Sequence, residues 1–109
     1  MVVFNDSIKA KDLGGNVTRK VLAHDGSMLA AEVSFKKGSV GKMHSHPHEQ
    51  IGYVLEGSFE LNMDGEKCII KKGDTYYTKP NLMHGVVALE DGKLLDIFTP
   101  QREDFLKSQ

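Results

Sequence analysis

The chain has 109 residues, 39% of them hydrophobic and 27% charged, with a formal net charge of −1, so it can bury one core as a single domain, 1–109. A balance this close to neutral gives no reason to expect nucleic acid or an anionic membrane as a partner, and no apolar run approaches the roughly 20 residues of a bilayer span. The single cysteine, Cys68, excludes an internal disulfide, and the opening MVVFNDSIKAKD lacks the basic-then-apolar order of a secretory leader, so the cytoplasm is the expected compartment.

Eleven glycines, many in turn-forming pairs, and few segments with helical period predict an all-β chain. Asp25-Gly26, Asp64-Gly65 and Asp91-Gly92 each separate two strand-like runs. That dipeptide accepts the positive φ of tight hairpin turns, so a hairpin is expected at each. Val17 to Ala23 is expected to pair with Met28 to Phe35, where Met28, Ala30, Glu32 and Ser34 alternate against Leu29, Ala31, Val33 and Phe35. Lys36-Lys37-Gly38 then turns the chain into a strand that carries histidines. Gln50 to Leu55 and Ser58 to Met63 follow, with Glu56-Gly57 as the bend between them. Lys67 to Ile70 and Thr75 to Thr78 are two further short strands, the second broken by Pro80-Asn81. Val86 to Leu89 and Leu94 to Thr99 read as the last hairpin, and Pro100 opens a short helical tail, QREDFLKSQ. So many short strands with closely spaced turns suit a sandwich or a barrel, and nothing resembles a helix-turn-helix.

Three of the five histidines, His44, His46 and His48, fall within five positions of one another. Pro47 opposes a helix there, because it lacks an amide hydrogen and clashes with the preceding turn. On an extended strand His44 and His46 project from one face, roughly 6–7 Å apart at the backbone, a good bite for a divalent transition metal. Taken alone, the pair also suits two surface histidines on an edge strand. Gln50 shares their parity, and Glu49, its rival as an oxygen donor, has the opposite parity. His48 reads as a loop or supporting residue and His24 as solvated. Cys68 beside Ile69-Ile70 reads as a small buried hydrophobe, and Met28, Met43, Met63 and Met83 as core filling.

The spacing G38-x5-H44-x-H46-x3-Q50-x6-G57, followed by the block from Gly73 to His84, resembles the two motifs of the cupin superfamily. The resemblance implies a double-stranded antiparallel β-helix, a jelly-roll barrel, ending here in a short C-terminal helical tail. It also implies a metal ion held by His44, His46, Gln50 and His84. Gln50 stands where most cupins carry glutamate, which leaves the ion's charge less compensated. Asn81 occupies the family's glycine position, and asparagine tolerates left-handed φ. The ion is one divalent transition metal, with nickel, iron, zinc, manganese and cobalt all suited to imidazole and amide oxygen.

The stretch Leu94 to Leu106, taken with HSHPHEQIGYVLEG, is similar to the KdgF-type pectin-degradation cupins. Those help convert cyclic 4,5-unsaturated monouronates from pectin or alginate into linear 5-keto-4-deoxyuronates by ring opening and tautomerisation. The resemblance implies an anionic sugar acid as substrate, with Asp96 moving protons, Arg102 gripping the carboxylate and Phe98 forming an apolar wall. The same residues also allow a plainer reading, in which Asp96 makes an ion pair with Arg102, Lys71 or Lys72 at the barrel mouth. Two other functions fit the scaffold: an iron or nickel dioxygenase, and a metal-assisted pocket that binds a sugar acid without reaction. A homodimer is expected, with the residues before Val17 crossing to a partner.

Overall fold

The structure is a computed structural model and describes residues 1–108. After a single 3-10 turn at Asn5–Ser7, ten strands follow: β1 (Lys11–Gly14), β2 (Val17–Asp25), β3 (Met28–Phe35), β4 (Val40–His44), β5 (Glu49–Glu56), β6 (Ser58–Met63), β7 (Glu66–Lys71), β8 (Thr75–Thr78), β9 (His84–Ala88) and β10 (Gly92–Thr99). A short helix, α1 (Glu103–Lys107), closes the described chain. All pairings are antiparallel, in a six-stranded sheet ordered β1-β2-β3-β10-β5-β8 and a four-stranded sheet ordered β4-β9-β6-β7. This is the expected all-β jelly roll with a short helical tail.

Two of the three Asp-Gly pairs behave as expected. Met63 faces Glu66 across the turn at Asp64 and Gly65, whose φ values of 51° and 83° are those a two-residue hairpin demands. The third does not. β9 pairs with β4 and β6 while β10 pairs with β3 and β5, so the chain crosses between sheets at Asp91-Gly92 and the expected last hairpin is absent. An Asp-Gly turn fixes a reversal of direction but not which sheet receives the next strand.

Inward-facing residues alternate along the strands, as a two-layer β fold requires. On β10 the buried positions are Gly92, Leu94, Asp96 and Phe98, and on β2 they are Val17, Arg19 and Val21. The apolar interior has two parts. Val17, Phe35, Val54, Phe59, Leu61, Ile70, Val86, Ala88 and Leu94 fill the space between the sheets, with Phe59 set edge-on to Phe35 at 5.2 Å. Val21, Leu29, Ala31 and Phe98 form a second cluster, covered by Phe105 and Leu106 of α1.

Some core expectations are corrected. Cys68 is exposed, because β7 is an edge strand that buries only Ile70. Met28, Met43 and Met83 are exposed at turns and strand ends, and of the four methionines only Met63 packs on the core.

Candidate metal centre and its cavity

His44 is the last residue of β4, and its cross-strand neighbour is His84, the first residue of β9. His46 lies beyond the end of β4, in the crossing to β5, rather than on one strand with His44. It is carried back to the site by a loop braced from below: the amide of Asn81 donates to the His46 carbonyl at 2.7 Å. Asn81 takes the left-handed φ of 65° expected of it. The ring centroids lie 4.4 Å apart for His44 and His84, 4.9 Å for His46 and His84, and 5.5 Å for His44 and His46.

Each of these rings is oriented by a backbone carbonyl. Nδ1 of His44 donates to Lys42 O at 2.7 Å, that of His84 to Leu82 O at 2.8 Å, and that of His46 to His48 O at 3.1 Å. A neutral imidazole that donates through Nδ1 keeps only a lone pair at Nε2. Burial holds His84 neutral down to a pKa of about 4, and burial also lowers that of His46. The three histidines bring one ligand atom each to within 4.8 Å of the others.

Gln50, on the inward face of β5, adds an oxygen. Its Oε1 stands 3.0 Å from His46 Nε2, and its Nε2 donates to Asp96 Oδ1 at 2.9 Å. With the amide oriented by Asp96 and the imidazole by His48, two lone pairs face each other. Buried Nε2 of His84 has no partner among the described residues. Converging acceptors with no donor between them are what a cation would satisfy, and neutral nitrogen and oxygen donors suit a divalent transition ion. The residues therefore fit such an ion. Glu49, the rival oxygen donor, points outward and accepts from Tyr77 Oη at 2.8 Å.

The histidines open on a cavity of about 660 Å³ whose wall includes Gln50, Tyr76, Asp96, Phe98 and Arg102. Asp96 is buried on β10 between Ala31 of β3 and Gly52 of β5. Burial raises its pKa to about 6, against hydrogen bonds from Gln50 and Tyr76 and the charge of Arg102, which lower it. Oδ1 takes both of those hydrogen bonds, from Gln50 at 2.9 Å and from Tyr76 Oη at 3.5 Å, and Oδ2 takes none among the described residues.

Asp96 does not pair with Arg102, Lys71 or Lys72. Arg102 gives Nε and Nη2 to Asp104 at 3.0 and 2.8 Å, so the carboxylate that it pairs with is two residues away. That pairing uses the side edge of the guanidinium and leaves the end formed by Nη1 and Nη2 free for a second anion, and Arg102 lines the cavity. The plane lies on Phe98 and Phe105, with Cζ 4.9 and 4.0 Å from the ring centroids. His48 is half-buried and supports the site through its carbonyl to His46 and its Nε2 to Gln101 O at 3.2 Å. His24 is half-buried too, bonded to Gln101 Oε1 at 2.9 Å rather than solvated.

Two residues of this cavity carry no role in the sequence reading. Tyr76 reaches Asp96 only because the position between them, Gly52, has no side chain; a β-carbon there would lie 2.6 Å from the tyrosine oxygen. Arg19 is buried on β2 and lines the same cavity. The alternation of Val17, Arg19 and Val21 gave a signal for Arg19; for Tyr76 there was only the parity shared with buried Thr78.

A small antiparallel jelly roll that gathers three histidines from two distant segments over an interior cavity defines a cupin. The cupin-domain family model matches residues 31–98, and the chain belongs to that family and is similar to its KdgF type. It is 44% identical over 104 residues to the pectin degradation protein KdgF of Dickeya dadantii, covering 94% of each chain. The solved structure of KdgF from Halomonas sp. superposes with a TM-score of 0.92 at 38% identity, covering 96% of this chain and 97% of that one. An RmlC-like cupin from Shewanella frigidimarina also superposes at 0.92, with 36% identity over 95% of this chain and 94% of its own.

Proposed function

We propose that this protein is an enzyme that opens cyclic 4,5-unsaturated monouronates to linear 5-keto-4-deoxyuronates, with a divalent transition metal held by His44, His46, Gln50 and His84. The observation that carries the reading is Asp96: a buried carboxyl beside the histidines, unpaired with any cation, with one oxygen left open. A structural ion pair would have engaged it with Arg102. The similarity to two KdgF proteins, one named for pectin degradation, supports the substrate class.

The reaction is an isomerisation and needs no oxidant or reductant. The C1–O5 bond breaks as the anomeric hydroxyl loses its proton, leaving an aldehyde at C1 and an enol oxygen at C5. The enol then becomes a ketone as C4 gains a proton. A bound divalent ion would supply Lewis-acid stabilisation of negative charge on oxygen. Asp96 Oδ2 takes and returns the protons, and a pKa near 6 suits a group that must do both near neutrality. Gln50 holds its other oxygen at 2.9 Å, so the carboxyl does not rotate away, and Tyr76 Oη stands 3.5 Å from the same atom. Arg102 holds the substrate carboxylate with the end of its guanidinium, and Phe98 walls the ring.

Incubating metal-loaded protein with unsaturated galacturonate and following the ring signals by NMR tests this. The linear keto acid should appear far faster than in buffer; a rate equal to that of buffer would end the proposal. The same reading places the protein in the cytoplasm, where lone Cys68 stays reduced. It also makes the protein a homodimer, in which exposed Met1, Val2 and Phe4 and the outward Ile51, Tyr53 and Tyr77 meet a second copy. A monomer mass by light scattering would overturn that part.

A further inference from the structure

The cavity wall holds a second guanidinium that the proposed reaction does not use. Arg19 is only 8% exposed, as is Arg102, and both line the cavity. The two lie on the same aromatic ring: their Cζ atoms stand 3.8 and 4.0 Å from the Phe105 centroid, which puts the charges within about 8 Å of each other. Arg102 has Asp104, whose side chain is largely solvent-exposed. Arg19 has no carboxylate within ion-pair distance among the described residues. Among the described residues its side chain has one hydrogen bond, from Nη2 to Ser108 Oγ at 3.2 Å, and its buried Nε has no partner. Burial and the charge of Arg102 both disfavour its protonated form, with only Asp104 helping. Two buried like charges with one shared, exposed counter-charge leave this wall positive, and an anion would relieve it.

We infer that Arg19 and Arg102, spaced by Phe105, form a two-arginine clamp for the carboxylate of a small sugar acid, with Arg19 the residue that sets its preference for anionic over neutral sugars. The clamp sits on the cavity wall formed by β2 and the C-terminal segment, apart from the histidines on β4, β9 and the loop after β4. A ligand in the cavity thus meets nitrogen and oxygen donors together with two fixed positive charges. Both guanidinium groups lie over the Phe105 ring, where cation–π attraction holds them in place. This deepens the function proposed above and rests on it only for the identity of the anion.

The test uses D-galacturonate as the anionic probe and D-galactose as the neutral one, on the metal-loaded full chain labelled with ¹⁵N. Galacturonate should shift the side-chain Nε–H resonances of both Arg19 and Arg102, and galactose neither. Arg19→Gln should weaken galacturonate binding roughly 10–100-fold, the range for one hydrogen bond between charged groups, and leave galactose unchanged. Arg19→Lys, which keeps the charge but not the plane, should fall between, and circular dichroism confirms that each variant is folded. An Arg19 resonance unmoved by galacturonate, or a folded Arg19→Gln with wild-type affinity, would overturn the clamp. Should both arginines respond while unsaturated galacturonate goes unconverted, the clamp stands and the assigned reaction falls.

Discussion

The two parts of the interior are built by one rule and used in opposite ways. In each, alternate side chains of the strands turn inward. Between the sheets those residues include Val54, Phe59, Leu61 and Ala88, which leave no side-chain polar atom to satisfy. Around the cavity the same alternation delivers His84 on β9, Gln50 on β5, Asp96 on β10 and Arg19 on β2. Inward polar residues cost stability unless each finds a partner, and Nε2 of His84 and Nε of Arg19 find none among the described residues. The packed part supplies the burial energy that lets the cavity keep unsatisfied groups for a ligand. Stability and chemistry are therefore separable by mutation.

The largest effect is expected from Asp96→Asn. Turnover of unsaturated galacturonate should fall about 10²–10⁴-fold, the usual contribution of a positioned acid–base group. Its metal content by elemental analysis should stay at the wild-type level, because an asparagine oxygen can still accept from Gln50. Equal turnover would remove Asp96 from the chemistry. Phe59→Ala is the opposite experiment. Loss of a fully buried ring should cost about 3–5 kcal/mol in denaturant unfolding, while the folded fraction keeps wild-type metal stoichiometry. If metal binding collapses with it, the two parts are not independent.

Gly52→Ala should act on the boundary. The added methyl meets the Tyr76 ring, so the tyrosine must leave Asp96, and overpacking typically costs about 1–3 kcal/mol. Turnover should fall less than in Asp96→Asn, and a crystal structure with Tyr76 still on Asp96 would count against its role. The smallest effect concerns pH in chelated protein. His84 is depressed to about 4, so the unfolded chain binds more protons from there to about 6.5, and stability falls as pH drops through that window. Asp96 is raised to about 6, so the native chain binds more protons between about 3.8 and 6, and stability falls as pH rises through it. The two slopes oppose each other in wild type. In Asp96→Asn the opposing slope is gone while those of His84 and His46 remain, so the urea midpoint should climb more steeply from pH 4 to 6.5. Parallel profiles would show that one of the two groups is not perturbed as described.

Much of this was legible in the chain because strands advertise their faces. The period of two located most strands, and the histidine block with His84 anticipated the cluster. What the sequence could not carry is what stands opposite. Asp91-Gly92 announces a turn, yet the next strand joins the other sheet. Pro47 opposes a helix but equally ends the strand before His46, which reaches the site from a loop. Asp96 and Arg102 are six apart and look like an ion pair until Asp104 is seen to occupy the arginine. Cys68 and the three exposed methionines are apolar enough for a core, but lie on an edge strand or at strand ends where there is no core to join. Arg19 shares the inward parity of Val17 and Val21, but its stacking on Phe105, 86 residues later in the chain, could not be read from the strand.

The proposed reaction depends on imidazoles from two distant segments sharing one cation. Cobalt(II) loaded into the chelated protein and examined by X-ray absorption reports those ligands directly. Three imidazoles should scatter in the wild-type spectrum and two in that of His84→Ala. A wild-type spectrum with fewer than three, or one that His84→Ala leaves unchanged, would contradict the centre described here.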